Sequence, residues 1–222
     1  MPDLCDLTSR LRKHYGKPEL PPAKGPFELI LWENAVYLLP DERRIEVFEG
    51  LRKRVGLTPK ALLDADKSLL LELAKRGGMQ PEVRVLRWRQ IAMIAQDQFA
   101  GDLDRVLELP YKDALKAIRE FPNIGGPAAE KILLYCGVAG ELPLESNGLR
   151  VLTRFGFGEE SKNYGATYKS VQFAIRGALP GKSMAEAHLL LREHGKALCK
   201  TSAPRCGECP VAAYCATGLK LA

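Results

Sequence analysis

Four of the six cysteines in this 222-residue chain crowd one C-terminal run: Cys199, Cys206, Cys209 and Cys215. Their spacing is C-x6-C-x2-C-x5-C within 17 residues, with no His or Asp between the sulfurs. Four thiolates drawn into one small volume are ligands for a metal or an iron–sulfur cluster. A four-cysteine zinc site commonly pairs two CxxC knuckles, and this run has one. The wide first gap, the single tight pair and Pro210 directly after a ligand suit a [4Fe–4S] cube better. A zinc site and two structural disulfides are the alternatives the spacing leaves open.

Two other stretches carry residues with chemical potential. The run 121–134 reads FPNIGGPAAEKILL. Gly125 and Gly126 let the backbone approach a neighbour closely, and Asn123 tolerates a left-handed conformation better than most residues. A helix opening at Pro127 leaves free N–H groups at the turn, a natural seat for a phosphate. Such contacts fix a protein on a duplex without reading its sequence. An ordinary helix–turn–helix corner is the structural alternative. Glu33, with Asn34, interrupts an apolar helix from Phe27 to Leu39, where a carboxylate needs a purpose or a partner.

The cysteine spacing resembles the cluster loop of the endonuclease III branch of the helix-hairpin-helix DNA glycosylases. The run 121–134 resembles that family's hairpin, roughly L-P-G-V-G-x-x-T-A, at about the family's distance upstream of the cysteines. The resemblance extends from about Phe27 to Cys215. It implies an all-α, two-lobed architecture: a six-helix barrel domain over 25–137, ending in the helix-hairpin-helix at about 111–136, and an iron–sulfur cluster domain made of 1–24 plus 138–222. It also implies a [4Fe–4S] cofactor on the four cysteines and a double-stranded DNA partner with a damaged or mispaired base. The hairpin residues Asn123, Gly125, Gly126 and Ala128 would contact DNA. Lys200 and Arg205 match basic positions that the family sets against the backbone. Met79 falls where the family inserts an apolar wedge into the duplex.

The catalytic positions depart from the family pattern. Its Asp, in a run like V-D-T-H-I-x-R-V, is matched here by Glu145 in LESNGLRV. The carboxylate stands one methylene further out, where errors of about 1 Å can cost two orders of magnitude in rate. The role implied is stabilisation of a cationic sugar; capping the next helix is the alternative. The family's nucleophilic Lys is matched by Pro127, which cannot form a Schiff base. Lys131, one turn along and roughly on the same face, reads as a solvated helix lysine. Laid against the adenine-excising branch, Glu33 stands at a catalytic Glu that protonates the departing base; a carboxylate paired with an arginine is its alternative. The expected activity is a monofunctional glycosylase with weak or absent abasic-site lyase activity. A DNA-damage binding protein with impaired catalysis is the rival.

Net charge is +6 and the pI about 9.0, which permits a polyanionic partner without requiring one. The remaining cysteines, Cys5 and Cys136, are single and expected to be buried. Cysteines gathered in one run fit a reducing cytoplasm better than an oxidised secreted fold, with nucleoid association if the source is bacterial. No apolar run is long enough to span a membrane, and a monomer is expected.

The elements that must position these groups are helical, since no alternating strand pattern stands out. Leu4, Leu7 and Leu11 share one face of a helix over 3–15. A helix over 41–55 turns Ile45, Phe48, Leu51 and Val55 inward. Thr58-Pro59 and Asp66 open further helices, and Pro81 opens a long one to Phe99. Shorter helices are predicted at 102–108, 111–120 and 127–136, then at 145–155, 164–178 and 183–198.

Overall fold

A computed structural model describes residues 3–138 and 140–221, and among them there are α-helices and short 3₁₀ turns but no strand. The helices are α1 (Leu4–Tyr15), α2 (Gly25–Glu33), α3 (Asp41–Arg54), α4 (Pro59–Asp64), α5 (Lys67–Lys75), α6 (Pro81–Phe99), α7 (Tyr111–Arg119), α8 (Gly126–Tyr135), α9 (Ser146–Phe155), α10 (Tyr164–Ile175), α11 (Gly181–Ala197) and α12 (Gly218–Leu221). Their starts follow local chemistry. Asp3, Thr58 and Asp66 accept backbone N–H groups of the first turns of α1, α4 and α5, and a proline sits in the first turn of α2, α4, α6 and α8. The chain divides into two compact units, Pro21–Val138 and Met1–Leu20 with Ala139–Ala222.

The unit Pro21–Val138 is built around α2. Phe27, Leu29, Ile30, Leu31 and Trp32 are all buried, the signature of a helix enclosed by its neighbours. Trp88 of α6 is fully buried and donates its indole N–H to the Asn34 carbonyl at 3.2 Å. The helix expected to run to Leu39 ends at Glu33. The Asn34 side-chain amide donates back to the Ile30 carbonyl and across to that of Pro122, at 3.0 and 3.1 Å, and the chain leaves in turns. Ile45 is also corrected: it is exposed, because the inner face of α3 runs through Val47, Phe48 and Leu51. The segment Leu103–Glu108 is a 3₁₀ helix.

The cysteine unit packs α1 on α11 and α11 on α9. Leu4, Leu7 and Leu11 share one core with Leu149, Leu152 and Phe155 of α9 and Leu190 and Leu191 of α11. Full burial of each such side chain stabilises by roughly 1.5–3 kcal/mol. Cys5, expected to be buried, is exposed, since it sits beside the leucine face of α1 and its thiol reaches the Ala178 carbonyl at 3.2 Å. The close approach of α9 and α11 requires Gly195, where an added Cβ would lie 2.6 Å from Asn147 Cβ and 2.8 Å from the Asn147 carbonyl oxygen.

Candidate functional site

The hairpin joins α7 to α8 through Phe121–Gly125. Phe121 and Ile124 are buried and anchor the turn, while Asn123 takes a left-handed φ of 63°. Gly125 caps α8 in an extended conformation, and the Ala129 N–H is the first to close on it, at 2.9 Å. The N–H groups of Gly126 and Ala128 precede that bond, and Pro127 has none. An added Cβ at Gly125 or Gly126 meets nothing within 4 Å. Among the described residues no neighbour calls for glycine there, so the bare backbone leaves room for something outside the chain.

Beside the turn lies a cavity of about 230 Å³ lined by Tyr37, Met79, Gln80, Arg84, Arg87 and Asn123. The surrounding loops hold Leu38 and Gln80 at φ of 54° and 57°. With Asn123 they cluster backbone strain of a kind often stored at functional sites. Arg84 is buried and donates to the carbonyls of Ala74, Gly78 and Met79, which fixes the loop before α6. Burial, with Arg87 beside it, pushes its guanidinium below the ordinary range. The loop presents Met79 at 68% exposure, and Leu38 stands out at 82%.

Glu33 ends α2 among cations. Lys131 of α8 donates to its Oε2 at 2.8 Å, and Arg44 of α3 lies 3.9 Å from its Oε1 while stacking on Trp32. The three side chains retain only 15–19% exposure. Lys131, read from the sequence as solvated, is therefore a half-buried ion-pair partner, because the second turn of α8 packs towards the end of α2. Cationic neighbours favour a charged carboxylate, unlike the apolar wall that keeps an acid neutral.

Glu145 is held differently. It caps α9: Oε1 accepts the Gly148 N–H and Oε2 the Asn147 side-chain amide, both at 2.9 Å. Burial, together with this carboxylate, pushes the Tyr164 hydroxyl up. Further along α9, Arg150 and Arg154 reach the cysteine loop. Arg150 donates to the carbonyls of Gly195 and Cys199, at 2.9 and 2.8 Å, and to Asn147 Oδ1 at 2.7 Å. Arg154 donates to the carbonyls of Lys200 and Thr201 and lies 3.6 Å from Cys199 Sγ.

Cys199, Cys206, Cys209 and Cys215 line one small cavity of about 30 Å³, closed otherwise by apolar groups such as Val151, Phe155, Leu198 and Val211. All four are free thiols, so neither structural disulfide is formed. Among the described residues no three His, Cys, Asp or Glu side chains close in far enough to hold a single metal ion. A lone zinc would draw its four sulfurs to about 2.3 Å from one centre, whereas a cube spreads them. The donor set, all sulfur in a largely apolar pocket with the Arg154 guanidinium 3.6 Å from Cys199 Sγ, fits a cluster. His194 is buried between Tyr15, whose hydroxyl lies 2.9 Å from Nδ1, and Cys209, whose Sγ lies 3.6 Å from Nε2. Burial lowers His194 to about 4 and raises Tyr15 to about 12, so both are neutral at pH 7. On the same loop Lys200 is exposed, while the Arg205 guanidinium is engaged by Glu208.

No family model matches the chain. Endonuclease III of Sulfolobus acidocaldarius is 26% identical over 176 residues, 79% of this chain and 74% of that protein. The chloroplastic endonuclease III homolog 1 of Arabidopsis thaliana is 24% identical over 205 residues, 90% of this chain and 52% of that protein. The fold matches a trapped endonuclease III–DNA covalent intermediate with a TM-score of 0.77 and 16% identity, over 100% of this chain and 99% of the other. A thermostable thymine-DNA glycosylase gives the same TM-score and identity over 98% and 97% of the two chains. The all-helical fold is that of these endonuclease III and thymine-DNA glycosylase structures. In sequence, too, the chain is similar to the endonuclease III proteins of that fold.

Several site residues escaped the sequence reading. Asn147, Arg150, Arg154, Tyr37, Gln80 and Arg87 were not singled out from the sequence. The one available signal was two arginines four apart directly after Glu145.

Proposed function

We propose that the protein is a base-excision glycosylase that hydrolyses the bond between a damaged or mispaired base and its sugar in double-stranded DNA. The observation that carries this reading is the Glu145 carboxylate, fixed through both oxygens by neutral donors and, among the described residues, paired with no cation. Such a group stabilises the cation that develops at C1′ as the base departs. Water then adds at C1′ and loses a proton. Glu33, charged at rest, takes a proton from the Lys131 ammonium at 2.8 Å and passes it to the departing base, and the proton released by the attacking water returns to Lys131 through solvent. With Pro127 in the first turn of α8, no amine stands at the family's Schiff-base position, which makes the enzyme monofunctional. The hairpin N–H groups and Lys200 hold backbone phosphates, and Met79 fills the space left by the extruded base.

The four cysteines bind a [4Fe–4S] cluster that braces the loop 199–215. Its contribution is structural, and no step of the hydrolysis passes through it. The protein acts as a monomer in the cytoplasm.

Single-turnover assays on duplexes with uracil, oxidised pyrimidines, A opposite 8-oxoguanine or alkylated purines, developed with alkali, test the activity. Release of one base without a borohydride-trapped adduct is expected. Tight binding to abasic DNA with no base released would instead make the protein a damage binder. A colourless, iron-free sample prepared without oxygen would remove the cluster from the account.

A further inference from the structure

The segment 142–145, which lies outside any helix and reaches Glu145 in an extended conformation, runs along α10 in the opposite direction. Gln172 Nε2 donates to the Leu142 carbonyl at 2.6 Å and lies 3.2 Å from the Tyr168 hydroxyl. Two residues on, the Leu144 N–H donates to the same hydroxyl at 3.5 Å. Two residues of extended chain advance about 6.6 Å and four helical residues about 6 Å, so the register carries one step further. That step sets Tyr164 beside the Glu145–Ser146 turn. Tyr164 opens α10 behind its cap Asn163, and its ring centroid lies 6.2 Å from that of Tyr168. The residue is 51% exposed, and among the described residues its hydroxyl has no hydrogen-bond partner. Burial and the nearby Glu145 carboxylate push the phenol up, so at neutral pH it is a donor without charge. Both Glu145 oxygens already have donors, which leaves the hydroxyl available to a ligand.

We propose that Tyr164 is a DNA-contacting residue whose hydroxyl donates to a non-bridging oxygen of a phosphodiester next to the extruded nucleotide. The proposal deepens the reading that Glu145 faces C1′, and rests on it. The sugar that carries C1′ also carries a phosphodiester on each of its 3′ and 5′ oxygens, so a donor beside Glu145 meets the backbone. Hydrogen bonds to an ionised acceptor are roughly twice as strong as neutral ones. The donor at this place has to be neutral. An ammonium or guanidinium would hold the phosphate by charge, yet beside Glu145 it would compensate the carboxylate that stabilises the sugar cation. Tyrosine also presents its hydroxyl on a ring with few torsions. That ring rests against Tyr168, which Gln172 and Leu144 hold in turn. The phosphate is thereby fixed while the field of Glu145 is preserved.

The test measures the affinity of the full-length protein, with its cysteine centre as isolated, for a duplex bearing an uncleavable tetrahydrofuran abasic site. In companion duplexes the phosphate on the 5′ or the 3′ side of that site is replaced by methylphosphonate, each stereoisomer separately. Tyr164→Phe is expected to weaken binding to the all-phosphate duplex by about 10-fold, the loss of one hydrogen bond to a charged group. On one of the methylphosphonate duplexes it should cost nothing further. Its salt slope should match the parent's, since a neutral donor displaces no counterion. Tyr164→Lys should raise the salt slope by about one. It should also slow single-turnover base release by about 10- to 100-fold, part of the loss expected on removing the carboxylate. Equal losses for Tyr164→Phe on every duplex, or no loss on any, overturn the contact whatever Glu145 does. If the coupling to one phosphate holds but Tyr164→Lys releases base at the parental rate, the electrostatic role of Glu145 fails and the contact survives.

Discussion

In the unit Pro21–Val138 a carboxylate is held by charge: Glu33 lies against Lys131 and Arg44. In the cysteine unit a carboxylate is held by dipoles: Glu145 takes a backbone N–H and a neutral side-chain amide. The difference supports the separate roles proposed for them. A carboxylate compensated by cations has little field to offer a developing positive charge, but an ammonium within hydrogen-bond reach suits it to passing a proton. One fixed by neutral donors keeps both oxygens in place and can face a developing cation. Two carboxylates are thus set in opposite surroundings, on which the proposed division of tasks rests.

The sharpest break would come from exchanging the two tasks. Glu145→Gln is expected to slow single-turnover base release by about 10²–10³-fold, as removal of a main electrostatic stabiliser does. Glu33→Gln should cost about 10²-fold, the low end for a general acid. Affinity for abasic DNA should hold in both. The reverse order would overturn the contrast.

The glycines divide in the same way. Gly195→Ala drives a Cβ into Asn147 of the neighbouring helix and should destabilise by about 1–3 kcal/mol, read by chemical denaturation. Gly125→Ala meets open space at an ordinary φ, so its stability should change by less than about 1 kcal/mol. Its defect should lie in DNA affinity. Equal stability losses at both positions would mean that the hairpin glycine serves the fold.

Smaller effects separate paired from unpaired groups. Lys200→Ala should lower the salt slope of DNA binding by about one, whereas Arg205→Ala, already engaged by Glu208, should leave it unchanged. Cys5 is exposed and should be alkylated first at pH 8. Burial pushes the Cys136 thiol up to about 12, so it stays protonated and resists the reagent until the chain unfolds. Mass spectrometry of partially labelled protein reads the order.

Helix starts were legible because they depend on neighbours in sequence: Thr58, Asp66 and the first-turn prolines fall where caps and fixed φ angles put them. The leucine face of α1 was legible for the same reason, as periodicity needs no distant partner. The end of α2 was not, because Asn34 stops it with a bond to Pro122, 88 residues away. Ile45 misled because an amphipathic pattern gives a face without saying which rotation meets the core. The cysteines and the hairpin were read as motifs, but the partners of Glu33, Lys131 and Arg150 come from other helices.

By itself, the order of residues determined an all-helical chain, a four-thiol run, a glycine-bearing turn and a carboxylate at the head of a helix. Each is encoded within a few turns by spacing, capping and proline geometry. Only the tertiary structure decided that cations surround Glu33, that neutral donors hold Glu145, and that Arg150 reaches Cys199, 49 residues downstream. Those outcomes depend on which helix faces pack together. That is a property of the assembled cores, and no local spacing contains it.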